Sequence, residues 1–240
     1  MFLAMPSAMR IWASVQSDAS CPVTVREGKA FLTEWLTDHP ARPLPPEEIP
    51  PCGEVVLAAE DVWFKYEEKG PDIVRGLHMT VRQGEFVALL GGNGTGKSTT
   101  LRLLSEGLRP YRGTVRHTGR LGVLPQNPQA LFVKKTVRED LFETFDGLHL
   151  PLAEQQRRVE QMVTLCRLTE LLDHHPYDLS GGEQQRAALA KVMLLEPDIL
   201  LMDEPTKGLD AEFKQSFAAM VRSLPVSYTH LRAHETAANL

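Results

Sequence analysis

The sequence predicts an α/β fold in which helices cover a mostly parallel β-sheet. Three observations support this prediction. From residue 55 onwards, short apolar runs alternate with segments of helical spacing. A glycine-rich loop, GGNGTGKST at Gly91–Thr99, joins one apolar run to a helical segment. A second run, DILLMDE, ends in two carboxylates, and in open α/β sheets the carboxyl ends of the strands face the ligand.

The composition is ordinary for a globular protein and argues against several other classes. The 240 residues are 42% apolar and 24% charged. A net charge of −5 gives no reason to expect a nucleic-acid partner. No apolar run reaches the eighteen residues that a membrane span needs. The cysteines Cys21, Cys52 and Cys166 fit no metal-binding spacing and suit a reducing cytoplasm.

The chain divides at a proline-rich segment. Residues 1–40 include TVREGKAFLTEWL, which has helical spacing. Residues 41–53, ARPLPPEEIPPCG, contain five prolines, and because proline removes backbone donors and fixes φ, they predict an extended linker. The main domain is therefore expected at residues 54–224, with residues 225–240 as a separate tail.

Within the main domain, turn signals and periodicity set the expected order of elements. Strands are expected within 55–68, on both sides of the RQGE turn in 76–92, and within 113–119, 121–126 and 198–204. Helices are expected within 94–108, 136–145, 152–168, 180–197 and 211–224.

The loop at Gly91–Thr99 combines residue types that bind phosphate. Glycines permit positive φ and close approach, so successive amides can point at a triphosphate. The following helix adds free N–H groups and the positive end of its dipole. In this pattern Lys97 reaches the β- and γ-phosphates and the Ser98 hydroxyl ligates Mg²⁺. The strand before the loop and the helix after it argue against a chance glycine-rich turn.

The acidic strand supplies carboxylates to the same edge. In DILLMDEP four apolar residues precede Asp203 and Glu204, so the strand is buried and the acids emerge at its carboxyl end. There Asp203 can hold Mg²⁺ through water, and Glu204 can polarise an attacking water. Many buried strands end in an acid, so this motif indicates a functional site only in combination with the phosphate loop.

A second glycine-containing helix start lies at LSGGEQQR. Ser180 can cap the helix, while Gly181 and Gly182 leave its amide end uncovered. Since one phosphate loop suffices for one nucleotide, the economical interpretation is that this second start serves a nucleotide held by another copy of the domain.

Residues 55–224 resemble the ATP-binding cassette (ABC) ATPases, whose motifs occur here in order. The resemblance implies that Tyr66, 25 residues before Gly91, stacks on adenine. It implies that Gln126 in LPQNPQALF senses the γ-phosphate and contacts a membrane partner. LSGGEQQR is the family signature, and Asp210 in KGLD lies in the loop that crosses to the opposite subunit. The implied fold is a P-loop NTPase cassette with a parallel core sheet, an antiparallel β subdomain and a helical signature subdomain.

The resemblance also implies a complete site with ATP and Mg²⁺. The implied catalytic residues are Glu204, Lys97 and Gln126, and the implied metal ligands are Ser98, Gln126 and Asp203. The implied nucleotide contacts are Tyr66, Gly91, Gly92, Asn93, Gly94, Thr95, Gly96, Lys97, Ser98, Thr99, Leu179, Ser180, Gly181, Gly182, Glu183 and Asp210.

LPQNPQALFVKKTVREDL and DEPTKGLDAEFK look more narrowly like the ATPase components of energy-coupling factor (ECF) importers for vitamins and metal ions. Residues 1–40 look like the end of a first cassette fused ahead of this one. The resemblance implies two cassettes closing head to tail, a membrane subunit docking near Gln126, and a peripheral location on the cytoplasmic face of the membrane. The transported substrate is not encoded here.

Two alternatives remain beside the importer, and the first is a soluble ABC protein that acts on chromosomes or ribosomes. Chromosome-acting ABC proteins carry a long coiled coil between phosphate loop and signature, and the 83 residues from Lys97 to Ser180 hold no sustained heptads. Ribosome-acting members carry a long charged helical linker, unlike the proline-rich segment here. The other alternative is an incomplete, inactive chain.

That alternative rests on the tail, Val226–Leu240. His230 in YTH occupies the region where the family carries a switch histidine. Only Pro225–Thr229 separates it from the predicted helix, and five residues are too few for both a connection and a buried strand. VSYTHLRAHET also resembles the translation of a common sequencing-library adapter. The tail is therefore expected to be foreign, and His230 and His234 stay outside the predicted site. A chain that stops near Leu224 is expected to be poorly stable and weakly active.

Overall fold

The computed structural model describes residues 5–15, 17–40 and 53–206, with Lys214, Phe217 and the backbone of 229–234. Its helices are α1 (Ser7–Ser14), α2 (Val25–Asp38), α3 (Lys97–Leu104), α4 (Val137–Glu143), α5 (Leu152–Leu165) and α6 (Gly181–Met193). Its strands are β1 (Val55–Phe64), β2 (Val74–Arg82), β3 (Phe86–Leu90), β4 (Arg112–His117), β5 (Leu121–Leu124), β6 (Ile199–Asp203) and β7 (Thr229–His234). The predicted helix at 211–224 lies outside the described residues except for Lys214 and Phe217, which are helical.

A four-stranded parallel sheet with the order β3-β7-β6-β5 forms the centre. Strand β6 is buried from Ile199 to Met202, and its side chains alternate between two cores. Leu200 and Met202 belong to the core formed with α4–α6, whereas Ile199 and Leu201 belong to the core formed with α3 and the second sheet. The predicted parallel sheet covered by helices is confirmed.

The second sheet is antiparallel, with the order β2-β1-β4. Buried residues of β1, including Leu57, Ala59 and Phe64, pack in one core with Leu101 and Leu104 of α3. This sheet is the antiparallel subdomain that the family resemblance implied. It holds the segment after β1 close to the helix that follows the phosphate loop.

Helices α4, α5 and α6 form a helical unit on the other side of β6. Capping boxes fix the starts of α4, through Thr136 and Glu139, and of α6, through Ser180 and Glu183. Cys166, at the end of α5, lies in the same core, and burial raises the pKa of its thiol to about 12. At neutral pH this thiol is therefore protonated and packs as an apolar side chain.

The N-terminal segment contains the predicted helix. A capping box between Thr24 and Glu27 starts α2, which ends at Asp38. Helix α1 packs closely against it, since a Cβ at Gly28 would lie 2.5 Å from the Cβ of Ala8. Within the described ranges, no helix combines the length and apolar character required to cross a membrane.

Strand β7 is a difference from the sequence analysis, which assigned no strand to the tail. The backbone of Thr229–His234 pairs in parallel with both β3 and β6. Backbone ladders are formed by N–H and C=O groups that nearly every residue carries, so two facing strand edges can accept a segment of little apolar character. His230 lies opposite Phe86, at the start of β3, whereas His234 lies opposite Leu90, next to the phosphate loop.

Candidate functional site

The phosphate loop lies between β3 and α3, as predicted. Gly94 and Gly96 have φ angles of +78° and +88°, which glycine adopts without strain. A Cβ at Gly96 would also lie 3.1 Å from the carbonyl oxygen of Ile73 and 3.2 Å from its Cγ2. Because Gly96 precedes the first residue of α3, both constraints fix the direction in which the helix N–H groups point.

Lys97 lies across this loop. Its Nζ donates hydrogen bonds to the carbonyl oxygens of Gly91 and Gly92, both at 2.9 Å, and the Thr95 hydroxyl donates to the same Gly92 carbonyl at 2.9 Å. The ammonium group is therefore held over the loop by backbone acceptors. A phosphate oxygen in the cavity could take over such a contact with the same donor.

A cavity of about 460 Å³ opens beside the loop, within the range for small-molecule sites. Its wall combines the loop with residues from the segment between β1 and β2 and from the segments that follow the carboxyl ends of β5 and β6. These residues are Tyr66, Ile73, Asn93, Gly94, Thr95, Gly96, Lys97, Ser98, Thr99, Gln126 and Glu204. The three predicted catalytic residues thus share one cavity. Gly91 and Gly92 are absent from this wall, and their carbonyls instead accept from Lys97.

The carboxyl ends of β5 and β6 bring Gln126 and Glu204 together, although 78 residues separate them. Gln126 Nε2 donates to Glu204 Oε2 at 2.7 Å. Glu204 has a φ of +45°, a conformation that costs energy for a residue with a Cβ and is frequent at functional sites. The bond uses the amide nitrogen of Gln126, and the amide oxygen is the atom that a cation would take.

Tyr66 forms the outer wall of the cavity. The residue is 58% exposed, and its ring packs edge-on against Phe64, with the ring centres 5.0 Å apart. Its hydroxyl is 3.0 Å from the Thr99 hydroxyl in α3. Both contacts hold an exposed aromatic face at the cavity, where a nucleobase can stack.

Ile73 is the wall residue that sequence reasoning missed. It precedes β2 and belongs to no motif, and its contact with Gly96 depends on the pairing of β1 with β2. Residue 73 lies between the strands expected within 55–68 and 76–92, so no sequence pattern pointed to it.

The signature segment does not contribute to the cavity wall. Ser180 accepts a hydrogen bond from the Glu183 amide at 3.4 Å, and its own amide and hydroxyl donate to Glu183 Oε2 at 2.8 and 2.7 Å. The Ser180 hydroxyl, followed by its backbone N–H, lowers the pKa of Glu183 below its usual value. The start of α6 is therefore satisfied in part by its own capping box, through Ser180 and Glu183.

The other predicted signature residues have different environments. Leu179 is buried in the helical core, so its side chain has a packing position. Gly181 is exposed, and a Cβ there would meet nothing within 4 Å, while Gly182 is half-buried. Asp210 lies outside the described residues.

The donor set fits Mg²⁺. Asp203 Oδ1 is buried and has no hydrogen-bond partner among the described residues, and Ser98 lies on the cavity wall. Mg²⁺ is usually held by one or two carboxylates, waters and substrate phosphates rather than by an all-protein cage.

A phosphate loop before a helix, an exposed aromatic ring and paired acids at the sheet edge define a nucleotide-binding cassette. The family model for ABC transporters matches residues 74–207. The chain therefore belongs to the ABC transporter family.

Relatives and solved structures agree with this assignment. The chain is 34% identical to the energy-coupling factor transporter ATP-binding protein EcfA1 of Geobacillus kaustophilus, over 71% of this chain and 66% of that protein. It is 36% identical to a candidate ABC transporter ATP-binding protein of Bacillus anthracis, over 85% of this chain but 38% of the relative. The structure of cbiO1 from Clostridium perfringens, part of the ABC transporter complex cbiONQ, is similar with a TM-score of 0.66, 27% identity, and coverage of 76% of this chain and 79% of that one. The chain thus spans less than half the length of the first curated relatives.

Proposed function

We propose that this chain binds and hydrolyses ATP to energise an ABC importer of the energy-coupling factor type. The observation that carries the proposal is the convergence of Lys97, Gln126 and Glu204 on one cavity beside the phosphate loop. The names of the relatives, which include an energy-coupling factor transporter ATP-binding protein and a cobalt import ATP-binding protein, support the importer. The substrate would be a vitamin or a metal ion.

The chemistry proposed for the cavity consists mainly of positioning and charge neutralisation. Lys97 and the amides at the start of α3 bind the β- and γ-phosphates. Glu204 orients and polarises the attacking water, and Gln126, bonded to it at 2.7 Å, fixes the carboxylate. Tyr66 holds the adenine ring by stacking.

Ser98, Gln126 and Asp203 would hold Mg²⁺, with Asp203 acting through its buried oxygen Oδ1 or a bound water. The cation would neutralise charge on the phosphate oxygens. The side-chain oxygens of Ser98, Gln126 and Asp203 would position the cation on the phosphates. Loss of any one of these oxygens is therefore expected to weaken hydrolysis more than ATP binding.

A second cassette completes the proposed site. The exposed start of α6, with Ser180, Gly181 and Gly182, lies outside the cavity wall, as expected if it faces a nucleotide held by another cassette. In that arrangement Asp210 crosses to the other subunit. Two cassettes closing head to tail would each supply half of two sites.

The partner cassette is proposed to precede this one in the same polypeptide. The match to the Bacillus anthracis relative covers 85% of the 240 residues, about 204 residues, whereas residues 41–240 number only 200. That similarity therefore extends at least a few residues into 1–40, the region proposed as the end of a first cassette. The relative's greater length leaves room for such a unit.

A membrane-embedded subunit is the second proposed partner, docking near Gln126. This places the cassette on the cytoplasmic face of the membrane, where ATP is available. No nucleic-acid partner is proposed for this acidic chain, which carries a net charge of −5.

Substitution of Glu204 by Gln tests the proposed chemistry. We expect ATP hydrolysis to fall by about 100-fold or more while the Kd for ATP changes less than about threefold, because the carboxylate acts on water rather than on phosphate. The matched control is Glu68→Gln, an exposed glutamate outside the cavity wall, which should leave both quantities unchanged. Hydrolysis by Glu204→Gln at the parental rate would refute the assigned role.

A further inference from the structure

A buried ion pair connects two helices of the helical unit. Lys191 in α6 and Asp140 in α4 are 2.8 Å apart from Nζ to Oδ1, with side chains only 11% and 2% exposed. Lys191 Nζ also contacts Glu143 Oε2 at 2.9 Å and donates to the Leu131 carbonyl at 2.8 Å. An ammonium group has three N–H donors, so these three contacts satisfy it fully.

The same pair holds the segment that follows Gln126. The Asp140 carboxylate accepts from the backbone N–H of Val133 at 2.9 Å and of Lys134 at 3.3 Å. Together with the bond from Lys191 to Leu131, this ties the segment at three backbone positions. These bonds do not depend on the side chains of residues 131–134, so they fix the backbone path itself.

The geometry joins two distant parts of the site. Gln126 contacts Glu204 in the cavity, five residues before Leu131. Lys191 lies ten residues after Gly181 in one continuous helix, which corresponds to about 15 Å along α6. Lys191 therefore links the backbone that follows Gln126 to the helix that begins at the signature.

The buried pair differs from a surface pair that also involves a residue of α4. Arg138 of α4 meets Asp173 at 3.1 Å, but these side chains are 50% and 83% exposed. Such exposed pairs are screened by water and contribute little, whereas breaking one partner of a buried pair leaves an uncompensated charge. The interior pair therefore favours a single arrangement of the segment and α6, and the exposed pair provides a matched control.

We propose that Asp140 and Lys191 are positioning residues that couple Gln126 to the signature start of α6. Neither lies on the cavity wall, so they act through the segment and the helix rather than on ATP. The proposal rests on the proposed function, since it assumes that ATP in the cavity is sensed by Gln126. Its consequence is that nucleotide binding at the phosphate loop changes the backbone dynamics at Ser180 and Gly181 only while this pair is intact.

Amide hydrogen exchange of the full chain tests the coupling. All proteins carry Glu204→Gln, so that ATP is bound and not consumed, and exchange is compared with and without ATP and Mg²⁺. With the pair intact, we expect ATP to slow exchange in residues 91–104 and to change it in residues 179–190. With Asp140→Asn and Lys191→Met together, which remove both charges, the change at 91–104 should persist and that at 179–190 should fall about fivefold or more. Arg138→Met should leave both changes intact.

The outcomes separate the two proposals. No ATP effect at 91–104 in the protein with the pair intact would refute ATP binding and hence the proposed function. An effect at 91–104 with none at 179–190, or an effect at 179–190 that survives the double substitution, would overturn the coupling alone. If the double variant loses its thermal unfolding transition, Glu143→Gln replaces it, because this substitution removes the charge of only the outer partner of Lys191. We then expect the ATP-induced change in exchange at 179–190 to fall about twofold. An unchanged value would overturn the coupling.

Discussion

Helices α3 and α6 both begin at glycine-containing motifs, yet their starts are built differently. The residue before α3 is Gly96, with φ of +88° and no side-chain cap, and the helix start faces a cavity of about 460 Å³. The residue before α6 is Ser180, which forms a full capping box with Glu183. The first helix leaves its amides for a ligand, whereas the second satisfies part of its own start and presents an open glycine surface at Gly181.

This difference indicates separate roles for the starts of α3 and α6. Positive φ, the contact with Ile73 and the Lys97 bonds preorganise the α3 start within the chain. The α6 start is stable without ligand, and the Ser180 hydroxyl must release Glu183 before it can donate to a phosphate. In the proposed function, the phosphate loop would therefore bind ATP within this chain, whereas the signature would contact a nucleotide held by a second cassette.

The largest expected effect comes from Lys97→Ala. Removing the ammonium deletes charge-assisted contacts to phosphate, so ATP binding should weaken by about 10- to 100-fold and hydrolysis should be lost. Titration with a fluorescent ATP analogue measures the Kd, with Lys65→Ala as the control outside the cavity wall. An unchanged Kd would place the nucleotide elsewhere.

Tyr66 is expected to have an intermediate effect. Tyr66→Ala removes the stacking face and should raise the Kd for ATP by about 5- to 50-fold. Tyr66→Phe keeps the ring and removes only the hydroxyl contact with Thr99, so its Kd should stay within about threefold of the parent. Equal losses in both variants would show that the Thr99 contact, rather than stacking, is what matters.

The smallest effect concerns Glu183 and pH. Its folded-state pKa is lowered by Ser180, so its contribution to stability is present above the unfolded value near 4.5 and is lost as the pH falls through the folded value. At pH 7 the parent should therefore melt about 2–4 °C above Glu183→Ala, and this gap should narrow below pH 4.5. Thermal unfolding at both pH values measures it, and a gap independent of pH would contradict the charged cap.

Contiguous motifs were predictable from the sequence, because local chemistry dictates them. The phosphate loop, the buried strand before Asp203 and the cap at Ser180 lie where the residues indicated. The end of α3 was less predictable: the helix stops at Leu104 rather than near Leu108, since Glu106 adopts φ of +58° and the Leu108 amide turns back to the Arg102 carbonyl.

Contacts between distant residues could not be predicted. Ile73 reaches Gly96 only because β1 pairs with β2, and Asp140 meets Lys191 across 51 residues through helix packing. Strand β7 escaped prediction because its ladder depends on backbone groups and on two available strand edges, not on an apolar pattern. The few residues before His230 leave no room for a strand that ends at that histidine, whereas β7 begins at Thr229 and continues to His234.

The ATP affinity of Gly181→Glu tests most directly the claim that phosphate loop and signature serve different nucleotides. A Cβ at Gly181 meets nothing within 4 Å, and an acid in the first helical turn is favourable, so the fold should be preserved. In the isolated chain we predict a Kd for ATP within about twofold of the parent, in contrast to Lys97→Ala, because the carboxylate would repel only a phosphate brought by another cassette. A loss of ATP affinity as large as that of Lys97→Ala would contradict the account, since it would place the signature at the chain's own nucleotide.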